Sequence, residues 1–239
     1  MQKIDAPVEQ VIDFIILAGG KGKRLNPLTR HIQKTMIWVK GKPIMQHIID
    51  MAKEQGIFEF IICTGYKKED IINYFGDGSK FGIKIYYSNE FKPKGTGGCL
   101  KLTEGLVTKK DFLVINGDTI CNFDIKKFYE YHKKHNSLVT LITHKATHPE
   151  DSDLIEIDHN YKVTKIWLKP HKTMVLPSKL SNTGIYLCKK EVLNHIPSRK
   201  ISFERQIIPS LLRKKHKIMA YYTEEMIKDV GTKDRLNII

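Results

Sequence analysis

Val11-Ile12-Asp13-Phe14-Ile15-Ile16-Leu17-Ala18 is an almost unbroken apolar run, and it ends in Gly19-Gly20. A short run without polar alternation is what a strand covered on both faces requires, and such strands belong to parallel sheets. Outward from it the pattern alternates. Ile44, Met45, Ile48, Ile49 and Ala52 recur at helical spacing between Pro43 and Gly56, with proline acceptable in the first turn and glycine as the stop. Residues 58–63 then read as a second buried strand, 68–75 as a helix, 83–87 as a strand, 98–105 as a helix and 112–115 as a strand. Strands and helices taking turns imply right-handed crossovers, hence an α/β fold with a mostly parallel sheet and helices on both faces.

After a further helix over 124–135 the texture changes. Short alternating strands at 138–143, 154–157, 162–167 and 183–188 with polar connections suggest an antiparallel extension of the sheet. A helix over 203–212, a strand over 218–222 and a short helix from Lys233 close the chain. Ligands of open α/β sheets sit outside the carboxyl ends of the strands, so the loops after Ala18, Ser88, Ile115 and Tyr222 should face one crevice. Trp38 and Trp167 are expected in the core, with Trp167 sharing a strand face with Lys169.

The chain has 239 residues, 41% hydrophobic and 28% charged, which suits one globular domain over 1–239 with Met1 to Gln10 as a short arm. No apolar run approaches the roughly 18 to 20 residues that span a bilayer, and the first ten residues do not read as a secretory signal. The expected compartment is the cytoplasm, with no membrane partner. Cys63, Cys99, Cys121 and Cys188 are scattered without a C-x-x-C pair, as expected of four reduced thiols. A net charge of +14 is compatible with nucleic acid, an anionic surface or small polyanionic substrates. The sequence lacks the aromatic platform or recognition-helix pattern of a nucleic-acid binder, so no nucleic-acid partner is expected.

The strongest chemical signal is Leu17-Ala18-Gly19-Gly20-Lys21-Gly22-Lys23-Arg24-Leu25, followed by Pro27-Leu28-Thr29 and by Lys34. Glycines after a buried strand let backbone N–H groups approach phosphate oxygens, because no Cβ intervenes. Arg24 adds a planar charged fork that can hold such oxygens. The loop is neither a Walker A motif nor a dinucleotide fingerprint, and taken alone a tight structural turn is the better reading.

Further blocks follow in order: Tyr74-Phe75-Gly76-Asp77-Gly78, Glu90, Gly95-Thr96-Gly97-Gly98, Asn116-Gly117-Asp118, Asn182-Thr183-Gly184-Ile185-Tyr186 and Lys228-Asp229-Val230-Gly231-Thr232. With them the chain resembles the sugar-1-phosphate nucleotidyltransferases, whose signature looks like G-G-x-G-x-R-L-x-P-L-T with a lysine further on. The resemblance implies a Rossmann-like, GT-A-like fold with a nucleotide-binding part over about 11–122 and an antiparallel sugar-binding part over about 123–239. It implies transfer of a nucleoside monophosphate from an NTP to a sugar 1-phosphate with release of pyrophosphate. The attacking phosphate oxygen is already an anion, so the work is alignment and charge neutralisation. By the same resemblance Arg24 serves the departing pyrophosphate and Lys34 the α-phosphate, Asp118 and Asp229 hold Mg²⁺, and Leu17, Ala18, Gly19, Gly20, Gly22, Lys23, Glu90, Gly95, Thr96 and Asp118 surround the nucleotide. Glu90 faces the base, where an acceptor-only carboxylate suits the paired donors of guanine, so GTP is favoured. One departure stands out: the lysine is usually flanked by prolines, whereas here it reads Gln33-Lys34-Thr35.

For the sugar, the informative stretch is His148-Pro149-Glu150-Asp151-Ser152-Asp153-Leu154-Ile155-Glu156, with Lys169-Pro170-His171 beyond it. This form is similar to the D-glycero-D-manno-heptose 1-phosphate guanylyltransferase branch, which implies a product used for surface polysaccharide. Asp153 supplies an acceptor for sugar hydroxyls and Lys169 a cation for the sugar phosphate, while Asn182, Thr183 and Gly184 line the sugar. A charged pair blunting a sheet edge is the bland reading of Asp153 and Lys169. Mannose 1-phosphate is the alternative sugar, and a catalytically silent nucleotide-sugar sensor the alternative class. The sequence leaves homo-oligomer formation open.

Overall fold

The computed structural model describes residues 7–171 and 178–236. The opening apolar run forms β1 (Ile12–Ala18), preceded by one helical turn, α1 (Val8–Val11). Val11 therefore ends a helix instead of starting the strand, and Val8, at the proposed arm, is buried in the core. A hairpin, β2 (Trp38–Val39) and β3 (Lys42–Pro43), leads into α2 (Ile44–Glu54), followed by β4 (Glu59–Thr64), α3 (Lys68–Phe75), β5 (Lys84–Asn89), α4 (Gly95–Leu102), β6 (Asp111–Asn116) and β7 (Thr119–Asn122). Then come α5 (Ile125–His135), β8 (Val139–Lys145), β9 (Leu154–Ile157), β10 (Val163–Trp167), β11 (Leu180–Lys189), α6 (Ile208–Arg213), β12 (Ile218–Tyr222), β13 (Met226–Asp229) and α7 (Lys233–Leu236).

The main sheet has the order β10-β9-β11-β6-β1-β4-β5, with β8 paired to β11 and β12. β6, β1, β4 and β5 are mutually parallel, β11 runs against β6, β8 and β9, and β12 lies parallel to β8. Alternate residues of β1 explain its burial. Phe14, Ile16 and Ala18 pack with Met45, Ile48 and Ile49 of α2 and Phe128 of α5, while Ile15 and Leu17 pack on the other face with Leu100 of α4 and Ile208 of α6. The four cysteines are buried free thiols. No described helix is long and apolar enough to cross a membrane.

Two tryptophan expectations are corrected. Trp38 is 59% exposed on its hairpin, edge-on to Tyr74. Trp167 is half-buried, with Nε1–H donating to Glu156 at 3.0 Å, and its strand stops there, so Lys169 does not share a strand face with it. The element that positions the site is a separate two-stranded ribbon in which β13 pairs antiparallel with β7, Asp229 lying opposite Thr119.

Candidate active site

The carboxyl ends of β1, β6 and β12 open on a cavity of about 700 Å³. Arg24, Lys34, Thr96, Asp118, Asp153, Lys169, Asn182, Thr183, Gly184 and Asp229 all line it, and Gly22 and Lys23 line a smaller pocket sharing Arg24, Lys34 and Asp118. Leu17, Ala18, Gly19, Gly20, Glu90 and Gly95, also expected around the nucleotide, line neither pocket.

The glycine loop is shaped as much by side chains as by any ligand. Gly22 has φ +60°, and a Cβ there would meet Lys34 Cβ and Thr29 Cγ2 at 2.8 Å, so only glycine lets the loop fold over Lys34. A Cβ on Gly19 would fall 2.7 Å from Glu90 Oε1. The space at Gly19 therefore accommodates the Glu90 carboxylate, whose other oxygen accepts the Lys94 N–H at 2.7 Å and the Cys99 thiol at 3.1 Å.

Gln33 compensates for the missing prolines. Its side chain is fully buried, Nε2 donating to the Ala18 carbonyl at 2.5 Å and Oε1 accepting the Thr35 N–H at 2.5 Å. The lysine segment is thus fastened to the end of β1, and Lys34 Nζ reaches Asp118 Oδ2 at 2.5 Å. Burial opposes ionisation of Asp118, but the charge and hydrogen bond of Lys34, with Arg24 nearby, outweigh it and hold this carboxyl below its ordinary value.

Asp118 and Asp229 come from sites far apart in sequence and are brought together by the β7–β13 ribbon, reinforced by the Val230 N–H donating to the Asp118 carbonyl at 2.9 Å. The point that a Cβ would occupy on Gly231 lies 2.8 Å from Asp229 Oδ1, 3.1 Å from Asp118 Oδ2 and 3.2 Å from Arg24 Nη2. Both carboxylates thus lie against the same face of Gly231, and a neighbouring pair of carboxylate oxygens is the donor type that a hard divalent cation takes, with phosphate oxygens and water completing its shell. Among the described residues no group of three or more His, Cys, Asp or Glu is arranged to hold a metal.

On the opposite wall Asp153 Oδ1 accepts the Lys169 N–H at 2.9 Å and lies 3.9 Å from Arg205 Nη2. The Lys169 ammonium turns instead to Asp151, 3.0 Å from Oδ1 and 2.6 Å from its carbonyl. Asn182 donates to Tyr186 Oη at 2.7 Å and accepts the Gly184 N–H at 3.2 Å, while Thr183 donates to the Ile142 carbonyl at 3.0 Å. Gly184 has φ +78°, and a Cβ there would come within 2.2 Å of Asn116 Nδ2, so its smallness admits Asn116 as well as exposing backbone to the cavity. The Thr96 hydroxyl is engaged twice, donating to Glu204 Oε2 at 2.5 Å and accepting the Phe203 N–H at 2.9 Å.

The cavity also contains residues that the sequence reading did not single out: Asp151, Glu204, Arg205, Glu225 and Arg235. Asp151 is held below the ordinary carboxyl value by the hydrogen bond from Lys169 and by the charges of Lys169, Arg235 and Arg24, which exceed the opposing effect of burial. Its place beside Asp153 in an acidic turn was the only sequence signal.

Comparison with known proteins follows the same outline. The family described as "Nucleotidyl transferase" matches residues 14–237. A mannose-1-phosphate guanylyltransferase of Mycobacterium tuberculosis is 32% identical over 223 residues, 92% of this chain and 61% of that protein. A mannose-1-phosphate guanyltransferase of Yarrowia lipolytica is 30% identical over 220 residues, covering 91% of this chain and 60% of that one. The chain therefore spans about three fifths of the length of these curated relatives. Among solved structures, HddC from Yersinia pseudotuberculosis complexed with GMP-PN superposes with a TM-score of 0.82 at 28% identity, over 95% of this chain and 97% of HddC.

Proposed function

The chain belongs to the nucleotidyl transferase family, and from that premise we propose that it transfers GMP from GTP to a sugar 1-phosphate, D-glycero-D-manno-heptose 1-phosphate, releasing pyrophosphate. The observation that carries this reading is the gathering of Asp118, Asp229 and Arg24 around Gly231, with the Lys34 ammonium bonded to Asp118.

The chemistry needs little proton management. The sugar phosphate oxygen attacks as an anion, so the residues align it and neutralise the charge that builds up on the α-phosphate. Lys34, fastened by Gln33, exchanges its partner between Asp118 and the α-phosphate, and Arg24, half-exposed at the mouth of the smaller pocket, receives the pyrophosphate. Asp118 and Asp229 are the residues that would hold a divalent cation, Mg²⁺ by its hardness and availability. When bound, that ion offsets phosphate charge. Lys169 and Asp153, on the facing wall, take the sugar phosphate and a sugar hydroxyl.

Guanine is supported by the guanylyltransferase names of the curated relatives and by the GMP-PN bound to HddC. The same names favour mannose 1-phosphate as the second reading. A panel of GTP, ATP, UTP and dTTP crossed with heptose, mannose and glucose 1-phosphates, followed by pyrophosphate release, tests both. Release with GTP and the heptose phosphate above all other pairs is expected. Faster release with mannose 1-phosphate would select the second reading, and release with none of the pairs would remove both.

A further inference from the structure

Arg235 lies in the last described helix, and its guanidinium joins two carboxylates that belong to different parts of the cavity. Nη1 donates to Asp229 Oδ2 at 2.7 Å, and Nη2 donates to Asp151 Oδ2 at 3.1 Å. Asp229 is held at both ends, since its Oδ1 accepts the Gly231 N–H at 2.7 Å. That pair of restraints leaves Oδ1 on the side shared with Asp118 and Arg24. Asp151 in turn binds the Lys169 ammonium at 3.0 Å and faces Arg24 Nη1 at 4.0 Å. One continuous chain of charged contacts, Asp229 to Arg235 to Asp151 to Lys169, therefore crosses the cavity from the carboxylate pair to the sugar-phosphate cation.

We infer that Arg235 is a positioning residue, which acts through Asp229 on the metal side and through Asp151 on the sugar-phosphate side. The inference rests on the reading of Asp118 and Asp229 as the cation's ligands. A guanidinium suits this task because its N–H groups point in fixed, divergent directions, whereas an ammonium is a point charge that serves one carboxylate well and two at an angle poorly. The Arg235 side chain is only one-fifth exposed, so its geometry is restrained by packing as well as by its partners. Residues that orient a metal's ligands typically change metal affinity or activity by about 10- to 100-fold when removed.

The test compares wild type with Arg235→Ala and Arg235→Lys in two readouts: calorimetric Mn²⁺ binding in the presence of GMP-PN, and steady-state kinetics resolved into kcat and each KM. For Arg235→Ala the expected result is at least about tenfold weaker Mn²⁺ binding, a lower kcat and a raised KM for the sugar phosphate, with the KM for GTP little changed. Arg235→Lys should regain most of the Mn²⁺ affinity through Asp229 but keep the raised sugar-phosphate KM. A wild-type protein that binds no Mn²⁺ overturns the metal reading and this inference with it. Wild-type binding matched by Arg235→Ala in both readouts overturns this inference alone.

Discussion

Gly231→Ala is the sharpest test of the carboxylate pair, because its effect can be worked out from distances. The added methyl would start 2.8 Å from Asp229 Oδ1 and 3.1 Å from Asp118 Oδ2, whereas ordinary contact begins at 3.4 Å. Asp229 Oδ1 must therefore retreat by about 0.6 Å and Asp118 Oδ2 by about 0.3 Å to restore that contact distance. Asp229 has little freedom to do so, being bonded to the Gly231 N–H and to Arg235. Functional constellations tolerate roughly 0.5 Å, and a misplacement of about 1 Å costs on the order of 10² in rate. The expected loss in kcat is about 10- to 10²-fold, or about 1.4 to 2.7 kcal/mol of barrier. Stability should change in a smaller and separable way. Gly231 does not adopt a left-handed backbone, so alanine is not strained there, and its restriction of the unfolded chain offsets part of the crowding by about 0.4 to 1 kcal/mol. Pyrophosphate release across a Mg²⁺ titration, with a thermal melt beside it, measures both. A variant with more than half the wild-type kcat and the same Mg²⁺ requirement would refute the convergence argument.

Lys34→Ala should lower kcat by about 10² to 10³, and it should also weaken the pH response of Asp118. In the wild type the carboxyl lies below its ordinary value, so its contribution to stability is present above the ordinary carboxyl range and lost as pH falls through the folded value. Without Lys34 its charge and hydrogen bond are gone while burial still opposes ionisation, so the carboxyl moves up and less of that stability is present above the carboxyl range. Melts from pH 3 to 7 should give a gap to wild type that widens with pH, and a constant gap would contradict the account. Glu90→Gln should weaken the preference for GTP over other NTPs by roughly 1 to 3 kcal/mol, the scale of a bidentate base contact. An unchanged preference would mean that Glu90 serves only Lys94, Cys99 and the loop at Gly19. Asp153→Ala should raise KM for the sugar phosphate more than for GTP, whereas equal rises would reduce Asp153 to its bond with the Lys169 N–H.

The parallel core was legible because burial on both faces leaves a continuous apolar signature, and β1, α3, β9 and β12 lie within a residue of where the sequence put them. The start of α4 was not. Three glycines suppress any local helical signal, and the helix begins at Gly95 because the N–H groups of Gly97 and Gly98 both find the Ile201 carbonyl, far along the chain. The β7–β13 ribbon escaped for a related reason. Thr119 to Asn122 is too short to show periodicity, and its partner strand lies beyond the entire sugar-side extension. Motif order pointed to Asp118 and Asp229, but nothing local indicates that Gln33 fastens Lys34 or that Arg235 reaches Asp151. Such partners are chosen by tertiary geometry, and polar residues in isolation carry no record of it.

The ribbon also has a bearing on when the protein becomes competent. Two strands outside the main sheet form a small cooperative unit, and such units open at a lower free-energy cost than the central strands. The metal-side carboxylate Asp229 belongs to that unit, whereas Lys34 is tied by Gln33 to the end of β1. During synthesis the glycine loop, Lys34 and Asp118 can be folded well before residues 226–229 leave the ribosome. Asp229 is supplied by the last strand among the described residues, so the carboxylate pair can be completed only after the nucleotide side has been synthesised. The same division means that the ribbon can open locally, as amide exchange would report, and release Asp229 while the sheet beneath it stays closed.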